Sequence, residues 1–96
     1  MTKPTVYIVD DQPAVCHGLR EMLSVLGYEV AAFGSAQQFL KTLDPSRSGC
    51  LVADVRMPGM DGLELMQELA RRAIRLPVVL ISGHADVPMA VAAIKA

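Results

Sequence analysis

A chain of 96 residues has room for one domain with one core, and a composition of 52% hydrophobic and 20% charged residues excludes a disordered protein. The formal net charge of -1 gives no electrostatic footprint for nucleic acid or an anionic membrane surface. No apolar stretch reaches transmembrane length, and Met1-Thr2-Lys3-Pro4 leads into a strand pattern instead of a signal-peptide core, so a cytoplasmic protein with no membrane partner is expected.

Thr5-Val6-Tyr7-Ile8-Val9 is β-branched and aromatic and ends at Asp10-Asp11, the pattern of a buried first strand. Asp11 or Gln12 then leads to Pro13, suited to a helix's first turn, and Val15, Leu19, Met22, Leu23 and Leu26 fall on one helical face. Asp11 is also a candidate helix cap. Gly27 is the expected helix stop, and Glu29-Val30-Ala31-Ala32-Phe33 is a short second strand. Gly34 turns the chain, and Ser35 can cap a helix that carries Ala36, Phe39, Leu40 and Leu43. Asp44 to Gly49 reads as an exposed loop.

The third strand is expected over Cys50–Val55, an apolar run that drives Asp54 toward the Pro/Gly-rich loop Arg56-Met57-Pro58-Gly59-Met60-Asp61-Gly62. A helix follows from about Gly62, with Leu63, Met66, Leu69, Ala70 and Ala73 inward and Arg71 and Arg72 in its last turn. Pro77 to Ser82 is a fourth buried strand, and Asp86 can cap a last helix through Met89, Ala90, Ala93 and Ile94. Cys16 and Cys50 lack CxxC spacing and sit in helix and strand patterns, so reduced core thiols are expected.

Strands alternating with helices imply right-handed βαβ units in an α/β, doubly wound, three-layer parallel sheet. With strand order 2-1-3-4, the reversal lies between the first and third strands, and ligands bind beyond the carboxyl ends of the strands there. Asp10, Asp11 and Asp54 all lie at that point. Three acids in one crevice repel one another, and a divalent cation would neutralise them. Magnesium fits: it takes hard oxygen ligands, keeps several waters, and commonly shares one or two carboxylates with a phosphate oxygen. With a cation in place, Asp54 stays ionised and can attack phosphorus to give an aspartyl phosphate, and the Ser82 hydroxyl, ending the neighbouring strand, could reach a phosphoryl oxygen.

These residues carry a resemblance. Val9-Asp10-Asp11, Asp54 with Met57-Pro58-Gly59-Met60-Asp61-Gly62, and Leu76 to Gly83 together resemble the receiver domain of two-component response regulators, over the whole chain. The ending His84-Ala85-Asp86-Val87-Pro88-Met89-Ala90-Val91 is similar to the FixJ-like branch, whose receivers usually precede a LuxR-type helix-turn-helix. The resemblance implies a flavodoxin-like receiver fold and a signalling switch rather than an enzyme. It implies that Asp54 accepts a phosphoryl group from a sensor histidine kinase. Asp10 and Asp11 would organise magnesium, Arg56 would give its backbone carbonyl to the metal, and Ser82 would be the switch hydroxyl. Homodimerisation on phosphorylation, and DNA binding only through an effector domain outside this chain, complete the expected output.

Residues 1–96 are thus read as a single receiver domain that lacks the family's fifth strand, with its phosphate-pairing lysine, and fifth helix. Lys95 falls in the expected fourth helix and is not that lysine. The fourth strand would then be an open edge that invites self-association. Three other readings share part of this pattern. A phosphohydrolase that forms an aspartyl phosphate would place its nucleophile directly after the first strand, where this chain has two adjacent acids. A flavodoxin-like flavin binder would need a Ser/Thr/Gly-rich loop there, and Asp10-Asp11 would repel its phosphate. The third is a receiver-like interaction module without phosphotransfer.

Overall fold

A computed structural model describes residues 4–46 and 48–81. Its elements are β1 (Thr5–Val9), α1 (Pro13–Val25), β2 (Glu29–Phe33), α2 (Ala36–Thr42), β3 (Gly49–Asp54), α3 (Gly62–Arg71) and β4 (Val78–Ile81). The four strands form one parallel sheet in the order β2-β1-β3-β4. This is the doubly wound order expected from the sequence, the flavodoxin-like fold of receivers. Because the order reverses at β1, right-handed crossovers put α1 on one face and α2 and α3 on the other.

The face under α2 and α3 holds the main core. Tyr7, Val9, Leu51, Ala53 and Leu80 point into it from the strands, Phe39 from α2, and Leu65 and Leu69 from α3. Phe39 meets Tyr7 and Phe33 edge-on, at centroid distances of 5.4 and 5.6 Å. Each large side chain of this kind contributes roughly 1.5–3 kcal/mol by burial. Edge-to-face pairing adds about 0.5–1.5 kcal/mol and fixes the ring angles.

Helix α2 begins as expected: Ser35 is extended and its hydroxyl accepts the Gln38 N–H at 3.2 Å. Helix α3 opens with a capping box in which Asp61 Oδ1 accepts the Glu64 N–H at 2.8 Å and Glu64 Oε1 accepts the Asp61 N–H at 3.2 Å. At its far end Glu68 accepts from both Arg71 and Arg72.

Three expectations are corrected. The inward face of α3 is Leu65 and Leu69, with Leu63 and Met66 beside them, while Ala70 and Ala73 are exposed. The helix stops at Arg71, and Ala73 lies outside it at φ 57°. The Ile74 N–H bonds to Leu69 O and the Ala73 N–H to Ala70 O, the paired bonds of a Schellman turn. In α1, Val15, Leu19 and Leu23 are half-buried, but Met22 and Leu26 are 54% and 66% exposed. The helix packs mainly across β1 and β2, and the far side of its apolar face is exposed among the described residues. Strand β3 runs one residue earlier than expected, Gly49–Asp54, so Asp54 is its last residue.

Gly27 does end α1. It adopts φ 91° and donates to Ser24 O while Tyr28 donates to Leu23 O, the same Schellman pair on the residue type that suits it. Cys16 and Cys50 are free thiols, as expected, but half-buried and not in the core. The loop through Asp44 is tied by Asp44 Oδ1, which accepts the Ser46 N–H and hydroxyl. No helix among the described residues is long and apolar enough to cross a membrane. Ser82 and the expected last helix lie outside the described residues.

Candidate metal and phosphoacceptor site

Parallel pairing sets the register that builds the site. Val9 lies opposite both Phe33 and Ala53, so the chain leaves β1 at Asp10 immediately beside the point where β3 ends at Asp54. Asp10, Asp11 and Asp54 each place one carboxylate oxygen within 4.8 Å of the others. Their environments differ. Asp10 is 3% exposed, Asp54 is half-buried and Asp11 is exposed. The deeply buried acid of the cluster is therefore Asp10, where the sequence pointed to Asp54: the last residue of a strand opens toward solvent, while Asp10 sits under the α1 turn and still bonds to Phe33 O through its N–H.

Two acid-to-backbone turns aim the cluster. Asp10 Oδ1 accepts the Gln12 N–H at 2.9 Å, and Asp54 Oδ1 accepts the Arg56 N–H at 3.0 Å. In each, the backbone N–H two residues on holds one carboxylate oxygen. The N-cap of α1 is Gln12, without a side-chain cap bond, so Asp11 is not the cap that its position suggested. Burial pushes the Asp10 carboxyl above its ordinary range; the Gln12 N–H opposes this, and the charges of Asp54 and Asp11 add to it. A buried carboxylate facing two other acids is what a hard divalent cation would relieve, and an all-oxygen set offering three carboxylates suits magnesium.

Two further groups shape the site, and neither was assigned a role there from the sequence. Gly62 brings the start of α3 against the end of β3: a Cβ there would fall 2.3 Å from Asp54 O. The Gly62 N–H reaches Val55 O at 3.4 Å. Only a residue with no side chain permits this approach, and its signal in the sequence was its place directly after an Asp61 that reads as an N-cap, with Glu64 completing the box. The second is Cys16, whose Sγ donates to Asp10 O at 3.4 Å and faces Phe33 O at 4.0 Å. Burial raises the thiol's pKa, with the neighbouring Asp10 charge adding, so it stays protonated. A cavity of about 330 Å3 opens beside it, lined by Asp10, Asp11, Cys16, His17 and Arg20 among others.

Residues 6–96 match the family described as the response regulator receiver domain. The transcriptional regulatory protein FixJ of Rhizobium meliloti is 47% identical over 96 residues, which cover all of this chain and 47% of that protein. The crystal structure of FixJ-N superposes with a TM-score of 0.86 at 45% identity, over 99% of this chain and 76% of that one. The response regulator protein TrrA of Thermotoga maritima, solved in complex with Mg2+ and BeF, superposes with a TM-score of 0.77 at 26% identity, over 85% of this chain and 71% of that one. The chain spans about half the length of FixJ.

Proposed function

The chain belongs to the response regulator receiver domain family, and from that premise we propose that it takes a phosphoryl group onto Asp54 in the presence of magnesium. The observation that carries the reading is the gathering of Asp10, Asp11 and Asp54 at the carboxyl ends of β1 and β3. Asp10, Asp11 and Asp54, with the backbone carbonyl of Arg56, would hold the cation. When bound, magnesium would offset the negative charge that gathers on the phosphoryl oxygens.

Asp54 is the nucleophile of this reading because it combines three properties. It ends an interior strand of the sheet, it is open enough to meet a donor, and the Arg56 N–H holds only Oδ1. The other carboxylate oxygen attacks phosphorus, the bond from phosphorus to the donor breaks, and the donor leaves with the electron pair. A phosphohistidine on a sensor histidine kinase is the donor that the family implies. Ser82, directly after β4, is assigned the switch hydroxyl, and its neighbour Ile81 lies opposite Asp54 in the register.

The relatives are transcription regulators, and we read this chain as a switch of the same kind, not as an enzyme with turnover. Its output would be a homodimer and, in the whole protein, DNA binding through a separate effector domain. The direct test is intact mass after incubation with acetyl phosphate and magnesium. One phosphoryl adduct is expected on the wild-type chain and none on Asp54→Asn. An adduct that persists in the variant, or none on the wild type, overturns the assignment.

A further inference from the structure

The backbone around Asp10 is held at three points. Its N–H donates to Phe33 O at 3.1 Å, its Oδ1 accepts the Gln12 N–H, and its C=O accepts from the Cys16 thiol. The first bond continues the sheet and the second closes a local turn. The third is different in kind, because it comes from the first turns of α1 and ties the helix to the strand end. Asp10 lies past the last β1–β2 pair, Val9 with Phe33, so no ladder N–H from β2 serves its carbonyl. A buried carbonyl in that position needs a donor, and among the described residues the thiol is the one it has. The same sulfur faces Phe33 O on the neighbouring strand, so one side chain spans the ends of β1 and β2.

We propose that Cys16 is a positioning residue for the metal site: by donating to the Asp10 carbonyl it fixes the backbone from which the Asp10 carboxylate reaches the cation. The proposal rests on the magnesium reading above. It assigns Cys16 no contact with metal or phosphoryl group; Asp10 makes the contact and Cys16 fixes where Asp10 stands. A thiol is a weak donor, so its contribution to folding is small. Its effect on a cation is larger than that, because ligand oxygens must lie at about 2.0–2.1 Å in near-octahedral array for magnesium, and small displacements of a carboxylate are costly. Groups that orient ligands in this way typically change metal affinity by about 10–100-fold when removed.

The test compares Cys16→Ala with Cys16→Ser in the 96-residue chain. Both substitutions remove the bulk of sulfur, so any packing loss is shared, and they differ in a hydroxyl that can donate to the same carbonyl. Affinity for Mg2+ alone is read by calorimetry, beside urea unfolding of the metal-free proteins. The expected result is a loss of about tenfold in affinity for Cys16→Ala, with Cys16→Ser within about threefold of wild type and both variants fully folded without metal in the urea titration. Equal Mg2+ affinity in the two variants, or wild-type affinity in Cys16→Ala, would overturn the proposal while leaving the site itself intact. A wild-type chain that binds no Mg2+ would overturn the magnesium reading and this proposal with it.

Discussion

Asp10 and Glu68 are shifted by their surroundings in opposite directions. Arg71 and Arg72 hold Glu68 down to about 2, so the stability it contributes is present above its ordinary 4.5 and is lost as pH falls toward 2. Asp10 is raised above its ordinary 3.8, chiefly by burial. The folded, metal-free protein therefore holds the Asp10 proton more tightly than the unfolded chain does. Its contribution is present below 3.8 and is lost as pH rises through the raised folded value. Above that value an ionised Asp10 is a burden on the metal-free fold. Asp10→Asn retains an oxygen for the Gln12 N–H and removes the charge. Metal-free Asp10→Asn is expected to be more stable than wild type at neutral pH by about 1 kcal/mol, the size of a typical single-site effect, and to lose the Asp10 limb of the pH profile. Chemical denaturation between pH 3 and 8 without divalent cations checks both; a variant less stable than wild type at pH 7 would show that the acid is already compensated.

At the level of elements, start signals were more legible in the sequence than stop signals. Ser35 and the Asp61-to-Glu64 spacing mark where α2 and α3 begin, because side-chain caps are local and depend on residue type. The end of α3 was not legible, because the apolar spacing of Leu69, Ala70 and Ala73 continues past Arg71 and no glycine or proline interrupts it. The chain makes the turn anyway with an alanine at φ 57°. The comparison with Gly27, which ends α1 by the same pair of bonds, gives the prediction. A left-handed alanine costs roughly 1–2 kcal/mol, part of which glycine returns as unfolded-state entropy. Ala73→Gly is exposed and touches none of the site residues, so a net gain of about 0.5–1 kcal/mol is expected in thermal unfolding, with Mg2+ affinity unchanged. A lower melting temperature would mean that the turn is not strained. The inward face of α1 was legible in part: periodicity gives the stripe, but which half of a stripe is covered depends on what lies across the sheet, and Met22, Val25 and Leu26 remain exposed.

For the molecule as a whole, the candidate site was legible because it depends on topology more than on local detail. Once β1 and β3 pair in parallel, Asp10, Asp11 and Asp54 have to meet. The ranking of their burial, and the Cys16 contact behind Asp10, depend on a one-residue strand boundary and a helix rotation that no pattern in the sequence fixes. The same topology links the metal to global stability. In the unfolded chain Asp10 and Asp54 are separated by two strands and two helices' worth of sequence, so the three-carboxylate site exists only in the fold. A ligand that binds the native state alone stabilises it by RT ln(1 + [L]/Kd), about 2.7 kcal/mol at a hundredfold excess over Kd. For a domain of this size that is a rise in Tm on the order of 10 °C. Scanning calorimetry over a magnesium series should show Tm climbing with the logarithm of concentration in the wild-type chain at constant ionic strength. Asp54→Asn removes one of the three carboxylates and should lose most of the climb while keeping the fold. An equal climb in both proteins would mean that magnesium acts by screening charge across the surface, and that the three acids do not form a site.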